Sequence, residues 1–156
     1  LDLLHRERCT TTSAFPQISF PWQAMQPIRD GRMPLTNYTG GAGMGRPQIY
    51  EFIEQEWDCR VVGGYGQTEI CGFATAIDYS DMLAHPRSIG WPIQHVEMCI
   101  LDPAGNPLPP GEEGEICMRG PSVMLGYWRN EEATKAALGH GWLRSGDLGT
   151  MDERGL

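Results

Sequence analysis

Two glycine-flanked polar clusters hold the residues of this chain that could do chemistry. The first cluster is residues 63–69, GGYGQTE, and the second is residues 141–149, GWLRSGDLG. Each cluster places a carboxylate beside glycines, which let the backbone approach a ligand closely, and the first adds an aromatic ring and a hydroxyl. Together these groups are typical of a nucleotide-binding site.

Three side chains of the two clusters suit a nucleotide and its metal ion. The ring of Tyr65 offers a flat apolar face for a base, and Asp147 could accept hydrogen bonds from both ribose hydroxyls. Glu69 is a hard oxygen ligand of the kind that Mg²⁺ prefers. Taken alone, Tyr65 also fits a packed loop aromatic, Thr68 a helix cap and Asp147 a turn residue, so only the set favours function.

The elements around the first cluster predict an α/β fold over residues 1–75. A strand is expected from Leu35 to Thr39, followed by the glycine-rich turn 40–43 and a helix from Pro47 to Trp57. A short strand, residues 60–62, then delivers the first cluster. Ligand-binding loops at strand ends are common in such α/β folds.

Residues 76–156 are predicted to be β-rich and barrel-like. Strands are expected over residues 96–101 and 115–119, with a helix from Asn130 to Leu138 that Asn130 caps and Gly139 ends. Arg119, Tyr127 and Trp128 are expected to pack in this scaffold. We treat the two parts as portions of one larger domain.

Composition limits the partners and the compartment. The 156 residues are 40% hydrophobic and carry a net charge of −8, which argues against nucleic acid as a partner. No apolar run is long enough for a membrane span, and no protein partner is indicated. The five cysteines have no C-x-x-C spacing, so we expect free thiols in the cytoplasm.

A dinucleotide loop is a weaker alternative for residues 40–45. The pattern Gly41-x-Gly43-x-Gly45 lacks the third glycine at the required offset. The next strand ends in Gly63 and Gly64, where an acidic ribose ligand is needed. A dehydrogenase is therefore disfavoured.

Four motifs in order resemble the adenylate-forming, or AMP-binding, enzymes. They are residues 39–44 (TGGAGM), 64–69 (GYGQTE), 111–128 (GEEGEICMRGPSVMLGYW) and 141–148 (GWLRSGDL). That superfamily comprises acyl-CoA synthetases, luciferases and peptide-synthetase adenylation domains. Gln67, residues 119–121 and residues 141–143 look most like the acyl-CoA ligases, although a luciferase or an adenylation domain stays an alternative.

The resemblance implies activation of a carboxylic acid, with a fatty or aryl acid favoured, by ATP and Mg²⁺. The acyl-adenylate would then pass its acyl group to coenzyme A. Thr68 and Glu69 would be catalytic, with Thr68 donating to the α-phosphate and Glu69 serving the metal. The nucleotide-contacting set that the resemblance implies is Gly41, Ala42, Gly43, Gly64, Tyr65, Gly66, Gln67, Thr68 and Asp147.

The same resemblance predicts that this chain is an internal segment of the large domain of a longer enzyme. The family's phosphate loop would precede Leu1, and its hinge, small domain and catalytic lysine would follow Leu156. Lys135, the single lysine, is interpreted as a surface charge. We therefore expect the isolated segment to be inactive, and a binding-only or inactive relative of the same fold is the alternative.

Overall fold

The computed structural model describes residues 2–13, 34–42 and 47–156, which form two compact units. The first unit contains residues 1–64 and 77–90, and the second contains residues 65–76 and 91–156. The boundary predicted between residues 75 and 76 stays a prediction. Among the described residues no helix is long and apolar enough to cross a membrane.

The first unit is built on parallel strands. It begins with helix α1 (Asp2–Arg6) and strand β1 (Thr11–Ser13), followed by β2 (Asn37–Gly41), helix α2 (Pro47–Trp57) and β3 (Arg60–Gly64). Strand β2 pairs in parallel with both β1 and β3. Since parallel neighbours need a crossover connection, α2 lies between β2 and β3 in the chain, as the α/β prediction requires.

Apolar side chains from these elements form the core of the first unit. Helix α2 has the predicted bounds, with proline at its first position, and contributes the buried Ile53 and Trp57. The ring of Trp57 meets that of Tyr38 edge-on, with centroids 6.3 Å apart. The apolar face that the sequence predicts for this helix also includes Ile49, which lies outside the residues whose side chains are described.

Strand β6 (Thr75–Asp78) begins in the second unit and ends in the first. Its end pairs antiparallel with β3, Ile77 opposite Gly63, and leads into helix α3 (Tyr79–Ala84). Its beginning pairs antiparallel with β7 (Trp91–Pro92), Ala76 opposite Trp91. A hairpin of β4 (Gly66–Gln67) and β5 (Gly72–Phe73) precedes β6 and encloses a 3₁₀ turn, Thr68–Ile70.

The rest of the second unit is a three-stranded antiparallel sheet in the order β10-β9-β8. Its strands are β8 (Glu97–Leu101), β9 (Gly114–Arg119) and β10 (Leu143–Gly149). Helix α4 (Glu131–Ala137) precedes β10, and the side chain of Asn130 accepts from Ala133 N–H as the predicted cap. The core cluster of the second unit consists of Ile70, Ala74, Val96, Met118 and Leu143.

The prediction of a β-rich second part is confirmed, but its barrel-like character is wrong for the described strands. The sheet of β8, β9 and β10 is not closed, because three strands are too few to enclose a packed interior and even small barrels need about five to eight. Trp128 and Tyr127, predicted to pack, are exposed. Arg119 does pack, with its guanidinium 4.5 Å from the ring centroid of Trp142.

Candidate nucleotide site

Tyr65 is held firmly where the chain leaves β3. Its N–H donates to Thr75 Oγ1 at 2.9 Å, and its carbonyl accepts from Ala74 N–H at 2.7 Å. Its ring packs against the core cluster of the second unit. Backbone and ring are thereby fixed together, so the phenol has a defined direction.

Asp147 lies in a bulge of β10. Arg144 pairs with Cys117 and Leu148 with Glu115, so residues 145–147 lie opposite the single residue Ile116. Gly146 has φ +78, a conformation that glycine adopts without strain. A bulge of this kind redirects side chains out of the regular alternation of a strand.

The bulge brings the two sequence clusters together. Tyr65 and Asp147 are 82 residues apart in sequence, yet the Tyr65 hydroxyl donates to Asp147 Oδ2 at 2.6 Å. The amide of Gln67 donates to the same oxygen at 3.2 Å and to the carbonyl of Ser145 at 2.9 Å. The ring of Tyr65 and the carboxylate of Asp147 therefore lie side by side in the second unit.

Burial, followed by the hydrogen bond to Asp147, raises the pKa of the Tyr65 phenol. A phenol with a raised pKa stays protonated at neutral pH and remains a donor. The Tyr65 hydroxyl therefore holds the carboxylate of Asp147 across the whole physiological range.

Thr68 and Glu69 lie on the 3₁₀ turn that follows Gln67. Thr68 is exposed and accepts Cys71 N–H through its carbonyl at 3.0 Å. Glu69 is anchored at two points: Tyr127 donates its hydroxyl to Glu69 Oε1 at 2.8 Å, and Met124 N–H donates to the Glu69 carbonyl at 2.7 Å. The hydrogen bond to Glu69 raises the pKa of Tyr127.

Glu69 is the carboxylate of the site that could hold a metal ion. Within residues 2–13, 34–42 and 47–156, no three His, Cys, Asp or Glu side chains group as a metal site. Mg²⁺, however, keeps several waters and is usually bound by one or two carboxylates together with substrate phosphates. Glu69 therefore fits a Mg²⁺ ion that arrives with a phosphate ligand.

The remaining predicted residues lie at strand ends or on the hairpin. In the first unit Gly41 pairs with Gly64, Ala42 N–H donates to the Gly64 carbonyl at 2.8 Å, and Tyr50 donates its hydroxyl to the Gly41 carbonyl. Gly43 lies outside the described residues. In the second unit Gly66 pairs with Phe73, and a Cβ on Gly66 would overlap the carbonyl of Gly72.

Three polar residues that the sequence argument gave no site role contact the site. Ser145 accepts from Gln67, Tyr127 holds Glu69, and Glu115 accepts Gly146 N–H at 3.0 Å. Ser145 lies in the second glycine-flanked cluster, and Glu115 and Tyr127 lie in the motif 111–128, but neither pattern pointed to these contacts. A polar side chain within a predicted strand, such as Glu115, was the only hint.

The model of the family described as AMP-binding enzyme matches residues 1–128, most of the chain. This chain belongs to the AMP-binding enzyme family. The resemblance drawn from the four motifs is thereby confirmed.

Curated relatives agree with this assignment. Over 120 residues the chain is 39% identical to a long-chain-fatty-acid–CoA ligase of Escherichia coli O6:H1, covering 74% of this chain and 21% of that protein. It is 42% identical over 94 residues to a feruloyl-CoA synthase of Amycolatopsis sp., covering 60% of this chain and 19% of the relative. The chain therefore spans about a fifth of the length of these AMP-binding enzymes.

Solved structures support the fold. An O-succinylbenzoate coenzyme A synthetase from Bacillus subtilis, in complex with ATP and magnesium ion, superposes with a TM-score of 0.76 at 28% identity. The match covers 99% of this chain and 32% of that one. The α/β fold class of this AMP-binding chain is therefore confirmed.

Proposed function

We propose that the protein carrying this chain uses ATP to activate a carboxylic acid as an acyl-adenylate and then transfers the acyl group to coenzyme A. The observation that carries the proposal is the hydrogen bond between Tyr65 and Asp147, because it unites a base-stacking ring with a ribose-binding carboxylate. Membership of the AMP-binding family supports the same reading.

Tyr65, Gln67 and Asp147 would hold the nucleoside half of ATP. Tyr65 and Gln67 both donate to Asp147 Oδ2, and Oδ1 would serve as the acceptor for the ribose hydroxyls. Charge-assisted hydrogen bonds of this type are about twice as strong as neutral ones. The ring of Tyr65 provides the apolar face for adenine, and Gly66 beside it adds no bulk.

The phosphates would be served by Thr68 and Glu69. Thr68, exposed on its turn, would donate its hydroxyl to the α-phosphate as negative charge builds there during attack by the carboxylate. Glu69 would hold Mg²⁺, which when bound offsets the charge of the phosphates. Tyr127 would keep the Glu69 carboxylate turned toward that position.

The acid is proposed to be a fatty or an aryl acid. A long-chain-fatty-acid–CoA ligase and a feruloyl-CoA synthase match this chain at 39% and 42% identity, so both classes have support. We place the reaction in the cytoplasm, where ATP and coenzyme A are available. The five cysteines, all free, suit a reducing compartment.

The test is acid-dependent exchange of labelled pyrophosphate into ATP by the full-length protein. Long-chain fatty acids, ferulate and related aryl acids form the panel, and acyl-CoA formation is then followed with coenzyme A. Exchange with at least one acid is expected. A folded protein that binds ATP and exchanges with no acid would instead be a binding-only member of the family.

A further inference from the structure

The bulge of β10 leaves backbone groups that the sheet cannot pair, and side chains take them up. Residues 145–147 face Ile116 alone, so β9 cannot offer each of them a ladder partner. Gly146 N–H instead donates to Glu115 Oε1 at 3.0 Å, and Asp147 N–H donates to Ser145 Oγ at 3.0 Å. The shape of the bulge therefore depends on side-chain acceptors.

Glu115 grips the bulge at two places. Its Oε2 accepts from Arg144 Nε at 2.8 Å and from a terminal nitrogen of the same guanidinium, while its Oε1 holds Gly146 N–H. The side chains of Arg144 and Glu115 are only 23% and 18% exposed. Solvent screens such a pair much less than an exposed one, so the contact is a firm one.

Asp147 is the residue that these contacts orient. It directly follows Gly146, whose φ of +78 sets the direction in which the chain continues. Glu115 itself makes no described contact with the Asp147 carboxylate, which accepts from Tyr65 and Gln67. Glu115 restrains the backbone at Gly146, while Tyr65 and Gln67 restrain the carboxylate, so two independent restraints meet at Asp147.

We propose that Glu115 is a positioning residue for Asp147: by clamping Arg144 and Gly146 it fixes the bulge so that the Asp147 carboxylate meets the ribose hydroxyls of the nucleotide. This inference rests on the proposed function, in which Asp147 binds the ribose hydroxyls. Glu115 should therefore affect recognition of the ribose hydroxyls and should not affect binding of the base or the phosphates.

Glu115→Gln is the variant that separates these contacts. A glutamine amide keeps the volume but has one oxygen, so it can accept at Arg144 or at Gly146 and not at both. Loosening of the bulge should weaken AMP binding about five- to tenfold, the usual weight of a charge-assisted hydrogen bond that is partly lost. Binding of 2′,3′-dideoxy-AMP, which has no ribose hydroxyls, should not change.

The measurement is isothermal titration of full-length protein with AMP and with 2′,3′-dideoxy-AMP. Glu97→Gln is the matched control, because Glu97 pairs with Arg119 on the same sheet and does not touch the bulge. The double variant Glu115→Gln, Asp147→Ala should bind AMP as Asp147→Ala alone does. If Glu115 only stabilised the fold, Glu115→Gln would instead weaken binding of both ligands. Its loss of affinity would then add to that of Asp147→Ala in the double variant.

Several results overturn the inference. The first is that Glu115→Gln keeps the wild-type preference for AMP over 2′,3′-dideoxy-AMP. The second is that it weakens binding of both ligands equally. The third is that the losses of AMP affinity are additive in the double variant. Where Glu115→Gln does not fold, Arg144→Lys, which keeps the charge but loses the Nε donor, must lose the same preference. Wild-type protein that fails to bind AMP would contradict the proposed function itself, a result distinct from all of these.

Discussion

At the scale of single residues, the site depends on carboxylates whose surroundings differ. Asp147 shares one oxygen between a phenol and an amide, whereas Glu69 accepts from the exposed Tyr127. The first arrangement fixes a group for binding. The second anchors the half-buried Glu69 beside the exposed Thr68, and substitutions of the two carboxylates should therefore have different effects.

Asp147→Ala should raise the KM for ATP and leave kcat nearly intact. The ribose hydroxyls are present equally in the ground and transition states, so losing their acceptor is a loss of uniform binding. The expected rise is on the order of tenfold to a hundredfold, matching about 1.5–3 kcal/mol for charge-assisted hydrogen bonds. Steady-state kinetics with Asp102→Asn, on a remote turn, as control would decide. A normal KM with reduced kcat would contradict the assignment.

Glu69→Gln should lower kcat itself, by about a hundredfold, because groups that serve developing phosphate charge act mainly in the transition state. Glu131→Gln, an exposed carboxylate in the first turn of α4, is the control and should be unaffected. Tyr127→Phe keeps the Glu69 charge but removes its donor, and should cause a smaller drop. Normal kcat in Glu69→Gln would remove that residue from the chemistry.

At the scale of elements, the short β4–β5 hairpin does much of the positioning. Gly66 pairs with Phe73 and Gln67 with Gly72, which directs the Gln67 amide to Ser145 and Asp147. The close approach of the two strands at Gly66 leaves no room for a side chain. The hairpin therefore tolerates only glycine there for steric reasons.

Gly66→Ala should destabilise the protein by about 2–3 kcal/mol, at the upper end of overpacking costs. The added Cβ would overlap the Gly72 carbonyl and lie 2.8 Å from Phe73 Cα, so backbone must move. Gly111→Ala is the comparison: it has φ +86 but open space around the new Cβ, so only about 1 kcal/mol of strain is expected. Urea unfolding measures both, and equal losses would show that crowding at Gly66 does not matter.

The longer elements could be predicted from the sequence because local signals suffice for them. Helix α2 has proline at its first position and an apolar face, and α4 has Asn130 as cap, so both appear where expected. Strands β8 and β9 likewise follow the predicted runs. The two-residue strands β4, β5 and β7 are too short to show a period, and the six-residue helix α3 spans less than two turns, so the sequence predicted none of them.

The site was predictable only in part for a related reason. Glycine spacing and the four motifs singled out Tyr65, Glu69 and Asp147, but the contacts of these residues cross long sequence distances. The bulge that orients Asp147 depends on the register of β9 against β10, which local sequence does not encode. Glu115 acquires its proposed role from that register, and a sequence pattern alone shows it only as a polar residue in a strand.

At the scale of the whole molecule, each unit contains a buried thiol. Cys59 in the first unit is 2% exposed and Cys117 in the second is fully buried. Burial, with a smaller contribution from a neighbouring carboxylate, raises the pKa of each thiol to about 11 from the ordinary 9.0. Burial also raises the pKa of Tyr38 and Tyr65, one in each unit. Both units therefore hold groups that ionise more readily when the chain is unfolded.

The free energy of unfolding should consequently fall above about pH 9, where unfolded thiols lose protons that the folded protein still binds. The sign follows from linkage: stability is complete below the unfolded pKa and declines up to the folded one, by about 1.4 kcal/mol per pH unit for each proton of difference. Urea unfolding from pH 7.5 to 10.5 measures the slope. Cys117→Ala should make that slope shallower, while Cys71→Ala, which removes an exposed thiol, should not. Equal slopes in the two variants would show that burial of Cys117 does not set the alkaline limit.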